Sequence, residues 1–194
     1  MLKALPGEWR NQVLSAALKS RSKHSPAIAL LSVSGVRPCE LEAGINVRVS
    51  GGNIEIAVSN GKQRGKESQR VLTIDRDTNP AARYLARVAE KLGGEYIVKI
   101  ESKNALHNAL RRFGERLFDS KQDVTAYRYR HAFASDTKSA GLGTVGVAKA
   151  LGHGSDRMQG RYGHANQSKA GCTVAISQKQ HGAACRAWLA DAED

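Results

Sequence analysis

Hydrophobic positions repeat with a helical period through most of the chain. Apolar residues three and four apart lie on one face of a helix, as Trp9, Val13 and Ala17 do near the start. The pattern predicts helices at residues 8–19, 27–32, 38–43, 80–92, 102–118, 125–140, 145–151, 156–162 and 179–190. Ser25 is the expected N-cap of the second helix, because Pro26 follows it and proline is favoured at the first helical position.

The hydrophobic period changes to two between residues 45 and 74. Alternating apolar residues predict strands at 45–49, 54–58 and 71–74, and the Gly-Gly-Asn run at 51–53 predicts a turn between the first two. Residues 59–69 predict a mobile, cationic loop that carries Lys62, Arg64 and Lys66. The expected fold class is therefore α+β, mainly helical with a small three-stranded antiparallel sheet.

The composition adds a strong positive charge to this picture. The length of 194 residues suits one domain, and 30 Lys and Arg against 18 Asp and Glu give a net charge of +12. Such an excess favours a polyanionic partner. Aromatic residues make up only 5% of the chain, too few for a surface that stacks single-stranded bases. Double-stranded DNA is therefore the expected partner.

Cysteine content and hydropathy argue against other classes of protein. The three cysteines form no Cys-x-x-Cys pair, and an odd number argues against a disulfide framework. A structural zinc site is not expected, nor is any cofactor. The chain has no run of about 18 apolar residues and no secretory leader pattern, so we expect no membrane partner and a cytoplasmic location.

One glycine-rich run matches a dinucleotide-binding fingerprint by letters alone. Residues 141–146 read GLGTVG and fit G-x-G-x-x-G. That fingerprint must follow a buried strand and open the helix of a β-α-β unit, whereas a polar, helical stretch precedes this one. We therefore interpret Gly141 as a helix C-cap and Gly143 as part of a turn.

A second group of motifs carries the candidate chemistry. The run YRYRHAFA begins at Tyr127 and contains Arg130, LGH ends at His153, and RYGH contains Tyr162. His153 lies 23 residues after Arg130, and Tyr162 lies nine residues after His153. This spacing places an arginine, a histidine and a tyrosine on successive short helices joined by glycine turns, and such helices can converge.

These motifs resemble the catalytic domain of the tyrosine recombinases, also called the phage integrase family. That family has an arginine box with an R-H-T-F-A-like run and then an L-G-H box. Its tyrosine nucleophile follows the L-G-H box at about the same spacing as Tyr162 follows His153 here. GVRPCEL at 35–41 looks like the family's first arginine box, which makes Arg37 its arginine. NGK at 60–62 and RVL at 70–72 look like the β-hairpin lysine, Lys62, and the next strand. The resemblance runs from about residue 25 to 165.

Two features depart from the family pattern. Tyr127 stands where the family most often has histidine, and tyrosine, with a reference pKa near 10, is a poor base at neutral pH. Only 36 residues precede Arg37, so the usual N-terminal DNA-gripping domain is expected to be absent. We expect a single catalytic domain over 1–194, with a lead-in helix at 1–24, a catalytic core at 25–165 and a C-terminal tail or helix at 166–194.

The residue types suit phosphodiester cleavage without water or metal. A tyrosine hydroxyl, here Tyr162, can form a phosphotyrosine that the displaced hydroxyl later attacks. The planar guanidinium groups of Arg37 and Arg130 can bind the nonbridging phosphate oxygens in pairs. Lys62 is the expected general acid for the leaving 5′ oxygen, with Lys66 as the alternative.

Further residues are expected to support this site. His153 would donate a hydrogen bond to the phosphate or to Tyr162, Glu40 would orient the arginines, and His131 would buttress the pocket. Tyr127 is expected to face the site and Tyr129 the core, because residues two apart cannot share a helix face. The residues expected to bind DNA are Arg64, Lys66, Arg128 and Arg161.

The resemblance implies a site-specific recombinase or integrase that cleaves and rejoins DNA through a 3′-phosphotyrosine. It also implies a homotetramer on two duplexes, with a C-terminal segment that docks on a neighbouring subunit. Residues 179–190 are apolar enough to be that segment, and packing within the same chain is an equal alternative. Two alternatives remain open: a non-catalytic DNA-binding protein of the same fold, and an enzyme like a type IB topoisomerase that relaxes supercoils.

Overall fold

The computed structural model describes residues 5–63, 66–118, 123–152 and 174–177. For residues 60–63, 66–68, 144 and 174–177 it describes the backbone alone. These ranges contain seven helices: α1 (Trp9–Lys19), α2 (Ser25–Ser34), α3 (Pro38–Ala43), α4 (Pro80–Lys91), α5 (Lys103–Leu117), α6 (Ala126–Ser139) and α7 (Thr144–Leu151).

The strands form one antiparallel sheet of five. They are β1 (Ile45–Ser50), β2 (Asn53–Gln63), β3 (Lys66–Asp75), β4 (Glu95–Val98) and β5 (Val174–Ser177), in the spatial order β4-β1-β2-β3-β5. The register pairs Val47 with Ile56 across β1 and β2, and Ile56 with Leu72 across β2 and β3. These three residues are fully buried on one face of the sheet, so the hydrophobic alternation sets the register.

The α+β class, the helices up to residue 151 and the three central strands agree with the sequence prediction. The sheet is larger than predicted, because the edge strands β4 and β5 extend it on both sides. The predicted loop at 59–69 is wrong for most of its length, since β2 continues to Gln63 and β3 begins at Lys66. The predicted helices at 156–162 and 179–190 lie outside the described residues.

The N-cap of α2 also differs from the prediction. His24, not Ser25, precedes the helix, and Ser25 is its first residue. The Ser25 hydroxyl donates a hydrogen bond to the carbonyl oxygen of Ser22 at 2.8 Å, in the preceding turn. An N-cap side chain must instead accept from a backbone N–H of the first helical turn. The helix consequently begins one residue earlier than Pro26 suggests.

Helix α2 lies at the centre of the hydrophobic core. Every residue from Ala27 to Ser34 is buried, and α1, α4 and α6 all pack against it. Helix α6 is tied to α1 by an ion pair of 2.6 Å between Arg10 and Asp136. The ring of Trp9 also meets that of Tyr129 edge to face, with 4.5 Å between centroids. These contacts hold α6 against α1: the ring contact lies next to Arg130, in the second arginine motif, and the ion pair lies six residues further along α6.

Candidate active site

A cavity of about 430 Å³ lies where α3, α5 and α6 begin. Its lining comes from three separate parts of the chain: Val36, Arg37, Pro38, Lys103, Leu106, His107, Thr125, Ala126, Tyr127 and Arg130. Both arginines that the motifs singled out therefore line the same cavity. The structure brings together the two halves of the predicted phosphate-binding pair.

Arg37 is fixed at the mouth of α3. It is the N-cap residue, with extended backbone, and Pro38 follows it at the first helical position. The Arg37 backbone N–H donates to Oε2 of Glu40 at 2.7 Å, and its Nη1 donates to Oε1 of the same carboxylate at 3.1 Å. The side chain stays 37% exposed, so its guanidinium is held from one side and open to the cavity on the other.

Glu40 joins Arg37 to a third arginine. Arg70, on β3, donates from Nη1 to Oε1 at 3.0 Å and from Nη2 to Oε2 at 2.9 Å, which is a bidentate pair. Burial raises the pKa of the Glu40 carboxyl, but the hydrogen bonds and charge of Arg70, followed by those of Arg37, outweigh burial and hold the pKa below its ordinary value. Glu40 is therefore a carboxylate at neutral pH. Of the two arginines that Glu40 was expected to orient, the structure shows it bonded to Arg37, and the orienting role stays a prediction.

Arg130 is buried, and main-chain carbonyls fix its guanidinium. Nη1 donates to the carbonyl oxygen of Gly35 at 2.8 Å, and Nη2 to that of Leu151 at 2.5 Å. Gly35 is the C-cap of α2 and Leu151 is the last residue of α7. The carbonyl ends of helices carry partial negative charge, so both favour a cation here. Two helix ends thus set the orientation of this arginine.

Gly35 permits the close approach of α2 to α6. Its φ of +56° is in the left-handed region, which favours glycine. A Cβ at this position would lie 2.9 Å from Cβ of Phe133 on α6. Glycine therefore allows the carbonyl group of residue 35 to reach Arg130.

Tyr127 and Tyr129 point in opposite directions, as predicted. Tyr127 is 57% exposed and lines the cavity, whereas Tyr129 is fully buried in the core. The Tyr127 ring meets His131 edge to face, with 4.3 Å between centroids. Burial, followed by the charges of Lys138 and Arg130, lowers the pKa of His131. His131 thus contacts one residue of the cavity lining, and its expected role as a buttress stays a prediction.

Helix α5 contributes two basic residues that the sequence analysis did not assign to the site. Lys103 and His107 are four residues apart, hence on one helix face, and both line the cavity. No motif singles them out, because spacing along α5 shows that they share a face but not what that face borders. Lys103 adds positive charge to the cavity wall.

The other predicted residues are described in part or not at all. Arg64, His153, Arg161 and Tyr162 lie outside the described residues. Lys62 and Lys66 are placed by backbone, on facing strands of the hairpin, where Lys62 pairs with Glu67 and Lys66 with Gln63. Arg128 is half-buried on α6 and is not part of the cavity lining.

Two further observations concern the described ranges alone. Within them, no three His, Cys, Asp or Glu side chains gather in a way that could hold a metal ion. In the same ranges, every helix is too short or too polar to cross a membrane.

Comparison with known proteins places the fold. No protein-family model matches the chain, and no curated protein matches it. Solved structures do. XerA recombinase aligns over 98% of this chain, with 16% identity and a TM-score of 0.57. XerH site-specific recombinase, in a pre-cleavage complex with difH substrate, aligns over 82% with 18% identity and a TM-score of 0.61. XerH in a post-cleavage complex aligns over 80% with 17% identity and a TM-score of 0.59.

The class of fold is thus that of site-specific recombinases. The chain spans 63% of the XerA structure and 47% to 50% of the two XerH structures. The resemblance to the catalytic domain of tyrosine recombinases, first found in the motifs, is therefore confirmed at the level of the fold.

Proposed function

We propose that this chain is the catalytic domain of a site-specific DNA recombinase or integrase. It cleaves one DNA strand, holds the 3′ end as a phosphotyrosine, and then rejoins it to a 5′ hydroxyl. The observation that carries the proposal is the convergence of Arg37 and Arg130 on one cavity. These are the two arginines that the family's arginine boxes predict, and distant parts of the chain supply them.

The two arginines bind the nonbridging oxygens of the scissile phosphate. Negative charge grows on these oxygens as the phosphorus gains a fifth ligand, and fixed guanidinium donors stabilise it. Arg130 suits this role because two helix ends hold it, and Arg37 because Glu40 holds it while its side chain stays open to the cavity. By analogy with oxyanion-hole donors, each contributes about 3 to 4 kcal/mol to the transition state.

Tyr162 is the proposed nucleophile. Its phenolic oxygen bonds to phosphorus as the bond to the 5′ oxygen breaks, and the leaving oxygen takes a proton from a general acid. The phenolic proton passes to a neighbouring base or to water. Lys62 on the β2–β3 hairpin is the proposed acid, and Lys66 is the alternative. His153 donates a hydrogen bond to the phosphate or to Tyr162. Rejoining is the same reaction reversed.

Tyr127 takes the place in which the family most often has histidine. The position of its ring at the cavity supports a role as a hydrogen-bond donor to a phosphate oxygen. The edge-to-face contact with His131 holds the ring there. A phenol donates well but is a weak base at neutral pH, so its role is binding rather than proton removal.

The proposed partner is double-stranded DNA, bound by a homotetramer. The net charge of +12 and the XerH complexes with difH substrate support this partner. Arg64, Lys66, Arg128 and Arg161 are the proposed phosphate contacts outside the cavity, and Lys103 joins them from α5. The protein would be cytoplasmic and associated with DNA, without a cofactor, and residues 25–165 would form its catalytic core.

A covalent capture experiment tests this function with duplexes of random sequence, so that no particular target site has to be chosen. The chain is incubated with a pool of such duplexes, each of which carries one nick. Cleavage near the nick releases a short fragment with the 5′ hydroxyl, which diffuses away and cannot be rejoined. Detergent-resistant protein–DNA adducts are then isolated, and their DNA is sequenced. We expect adducts with the natural chain and none with Tyr162→Phe. DNA retention without adducts would favour the non-catalytic alternative, and plasmid relaxation without a preferred sequence would favour the topoisomerase alternative.

Arginine variants test the cavity in the same assay. Arg37→Lys keeps the charge but loses the planar fork, so we expect about a 10²-fold slower adduct formation. Arg111→Lys is the matched control, because Arg111 is on the exposed surface of α5 and pairs with Glu115. Equal rates for the two variants would contradict the proposed role of the cavity.

A further inference from the structure

Arg70 is an unusual residue for the middle of a strand. Its side chain is 1% exposed, and it is among the largest of the fully buried side chains in the described residues. A buried guanidinium is costly unless its charge and hydrogen bonds are satisfied. Arg70 meets this cost through two parallel hydrogen bonds to the Glu40 carboxylate.

The Glu40 carboxylate accepts hydrogen bonds from both Arg70 and Arg37, and Arg37 lines the cavity. Oε1 accepts from Nη1 of both Arg37 and Arg70, and Oε2 accepts from the Arg37 backbone and from Nη2 of Arg70. Each oxygen therefore holds one bond from each arginine. If the bidentate fork were lost, only the two bonds from Arg37 itself would hold the carboxylate. The carboxylate would then be less fixed, and the Arg37 guanidinium with it.

Arg70 also stands at the base of the β2–β3 hairpin. It pairs with Val58 in the sheet register, and β2 continues from Val58 to Lys62 through an irregularity between Ser59 and Lys62. One buried ion pair thus connects β3, whose partner strand β2 carries the proposed general acid Lys62, to the helix mouth that carries Arg37.

We infer that Arg70 is a positioning residue that acts through Glu40 to orient the Arg37 guanidinium toward the scissile phosphate. This inference rests on the proposed function for its catalytic consequence, but the orientation of Arg37 exists without DNA. Arg70 itself lies behind Glu40 and does not line the cavity.

The test compares Arg70→Gln with Arg10→Gln. Arg10 also forms a buried ion pair, with Asp136, but it does not line the cavity and lies between α1 and α6. Both variants lose a buried charge partner, so both lower the urea midpoint of unfolding. We expect adduct formation to fall about 10²-fold in Arg70→Gln at unchanged duplex affinity, and to stay within twofold of the natural chain in Arg10→Gln. Equal rates for the two variants would overturn the inference.

A double-mutant cycle separates positioning from general destabilisation. If Arg70 acts through Arg37, Arg70→Gln has little further effect in an Arg37→Lys background, because the oriented fork is already gone. Fully multiplicative losses would contradict the inference. If Arg70→Gln does not fold, Arg70→Lys replaces it, since lysine keeps the charge but not the bidentate geometry.

A spectroscopic measurement keeps the inference distinct from the proposed function. The nitrogen signal of the Arg37 guanidinium reports its mobility in the free protein by nuclear magnetic resonance. We expect restricted motion in the natural chain and in Arg10→Gln, and increased motion in Arg70→Gln. Unchanged motion in Arg70→Gln would overturn the inference, whereas a missing adduct in the natural chain would overturn only the proposed function.

Discussion

Glu40 and Arg130 illustrate two ways of fixing charge around a phosphate. Arg37 is held by a carboxylate that a third arginine keeps in place, and Arg130 by the carbonyl ends of two helices. In both cases the donors are oriented before any ligand arrives, so little reorganisation is needed at the transition state. The acidic partner of the site is Glu40, which lies behind Arg37 and neutralises part of the charge.

His131 gives a prediction at the residue scale. Burial, followed by the Lys138 and Arg130 cations, lowers its pKa from the ordinary value of 6.5. The unfolded chain therefore takes up a proton on His131 at a higher pH than the folded chain does. The free energy of unfolding consequently falls as pH drops below about 6.5. His131→Gln should flatten the pH dependence of the unfolding free energy between pH 7 and about pH 5.

His24 provides the control for that measurement. Its pKa is also lowered, by burial and then by Lys23. His24→Gln should remove a separate part of the pH dependence of the unfolding free energy and leave the part that His131 contributes. The unfolding free energy is measured by urea titration at each pH. If its dependence on pH were the same in the natural chain and in His131→Gln, the lowered pKa assigned to His131 would be wrong.

The identity of the general acid gives a second prediction. A duplex with sulfur in place of the 5′ bridging oxygen releases a thiolate, whose reference pKa near 8.5 makes proton donation unnecessary. The Lys62→Ala variant should cleave ordinary DNA about 10²- to 10⁴-fold more slowly than the natural chain, and the sulfur-containing duplex at nearly the natural rate. Lys66→Ala should show no such recovery. The reverse pattern would move the role to Lys66.

Motifs pointed to Arg37, Arg130 and Glu40, and the structure places both arginines at one cavity with Glu40 bonded to Arg37. Helix geometry predicted the opposite directions of Tyr127 and Tyr129, which the structure shows. The catalytic roles of the two arginines stay predictions. Arg70 was not given a role, because an arginine in a strand ordinarily faces solvent and its partner lies 30 positions away. The roles of Tyr162 and His153 stay predictions.

At the scale of elements, the connection between α2 and α3 supplies one of the two carbonyl acceptors of Arg130, that of Gly35. Gly35 adopts a φ of +56°, and Gly51, in the β1–β2 turn, adopts +58°. An alanine at either position meets a similar backbone cost of about 1 to 2 kcal/mol. A Cβ at Gly35 would also meet Phe133 at 2.9 Å, whereas nothing lies within 4 Å of one at Gly51.

Gly35→Ala should therefore destabilise the chain more than Gly51→Ala. The overpacking against Phe133 adds about 1 to 3 kcal/mol to the loss, measured by urea unfolding. Gly35→Ala should also slow adduct formation, because the shifted carbonyl no longer accepts from Arg130. Equal stability for the two alanine variants would show that the corner tolerates a side chain.

Hydrophobic periodicity predicted the elements that pack on the core and missed those that do not. Helices α4 and α5 each bury a stripe of apolar side chains on one face, which gives a strong signal. The end of the hairpin carries polar and charged residues, so no alternation marked it as strand. Strand β4 has only four residues at the edge of the sheet, too few for a reliable pattern.

For the whole molecule, positive charge is the most general feature. With a net charge of +12, binding to duplex DNA should release many counterions. If six or more phosphates are neutralised, the logarithm of the binding constant should fall with the logarithm of salt concentration with a slope of about −5 or steeper. Fluorescence anisotropy across a salt series measures this slope. A nearly flat response would contradict a DNA-binding surface.

The fold class could be predicted from the sequence, because the order of helices and strands and the spacing of the motifs agree with each other. The convergence of α3, α5 and α6 on one cavity could not, since it depends on how α2 is enclosed by its neighbours. Lys103 and His107 belong to the site only because of that packing.

The most direct measurement identifies the amino acid that carries DNA. Adducts from the covalent capture experiment are digested with nuclease and trypsin, and the peptide that retains a nucleotide is sequenced by mass spectrometry. We expect a nucleotide on Tyr162, linked through its 3′ phosphate. A nucleotide on another side chain, such as Tyr127, or the absence of any nucleotide-bearing peptide, would contradict it.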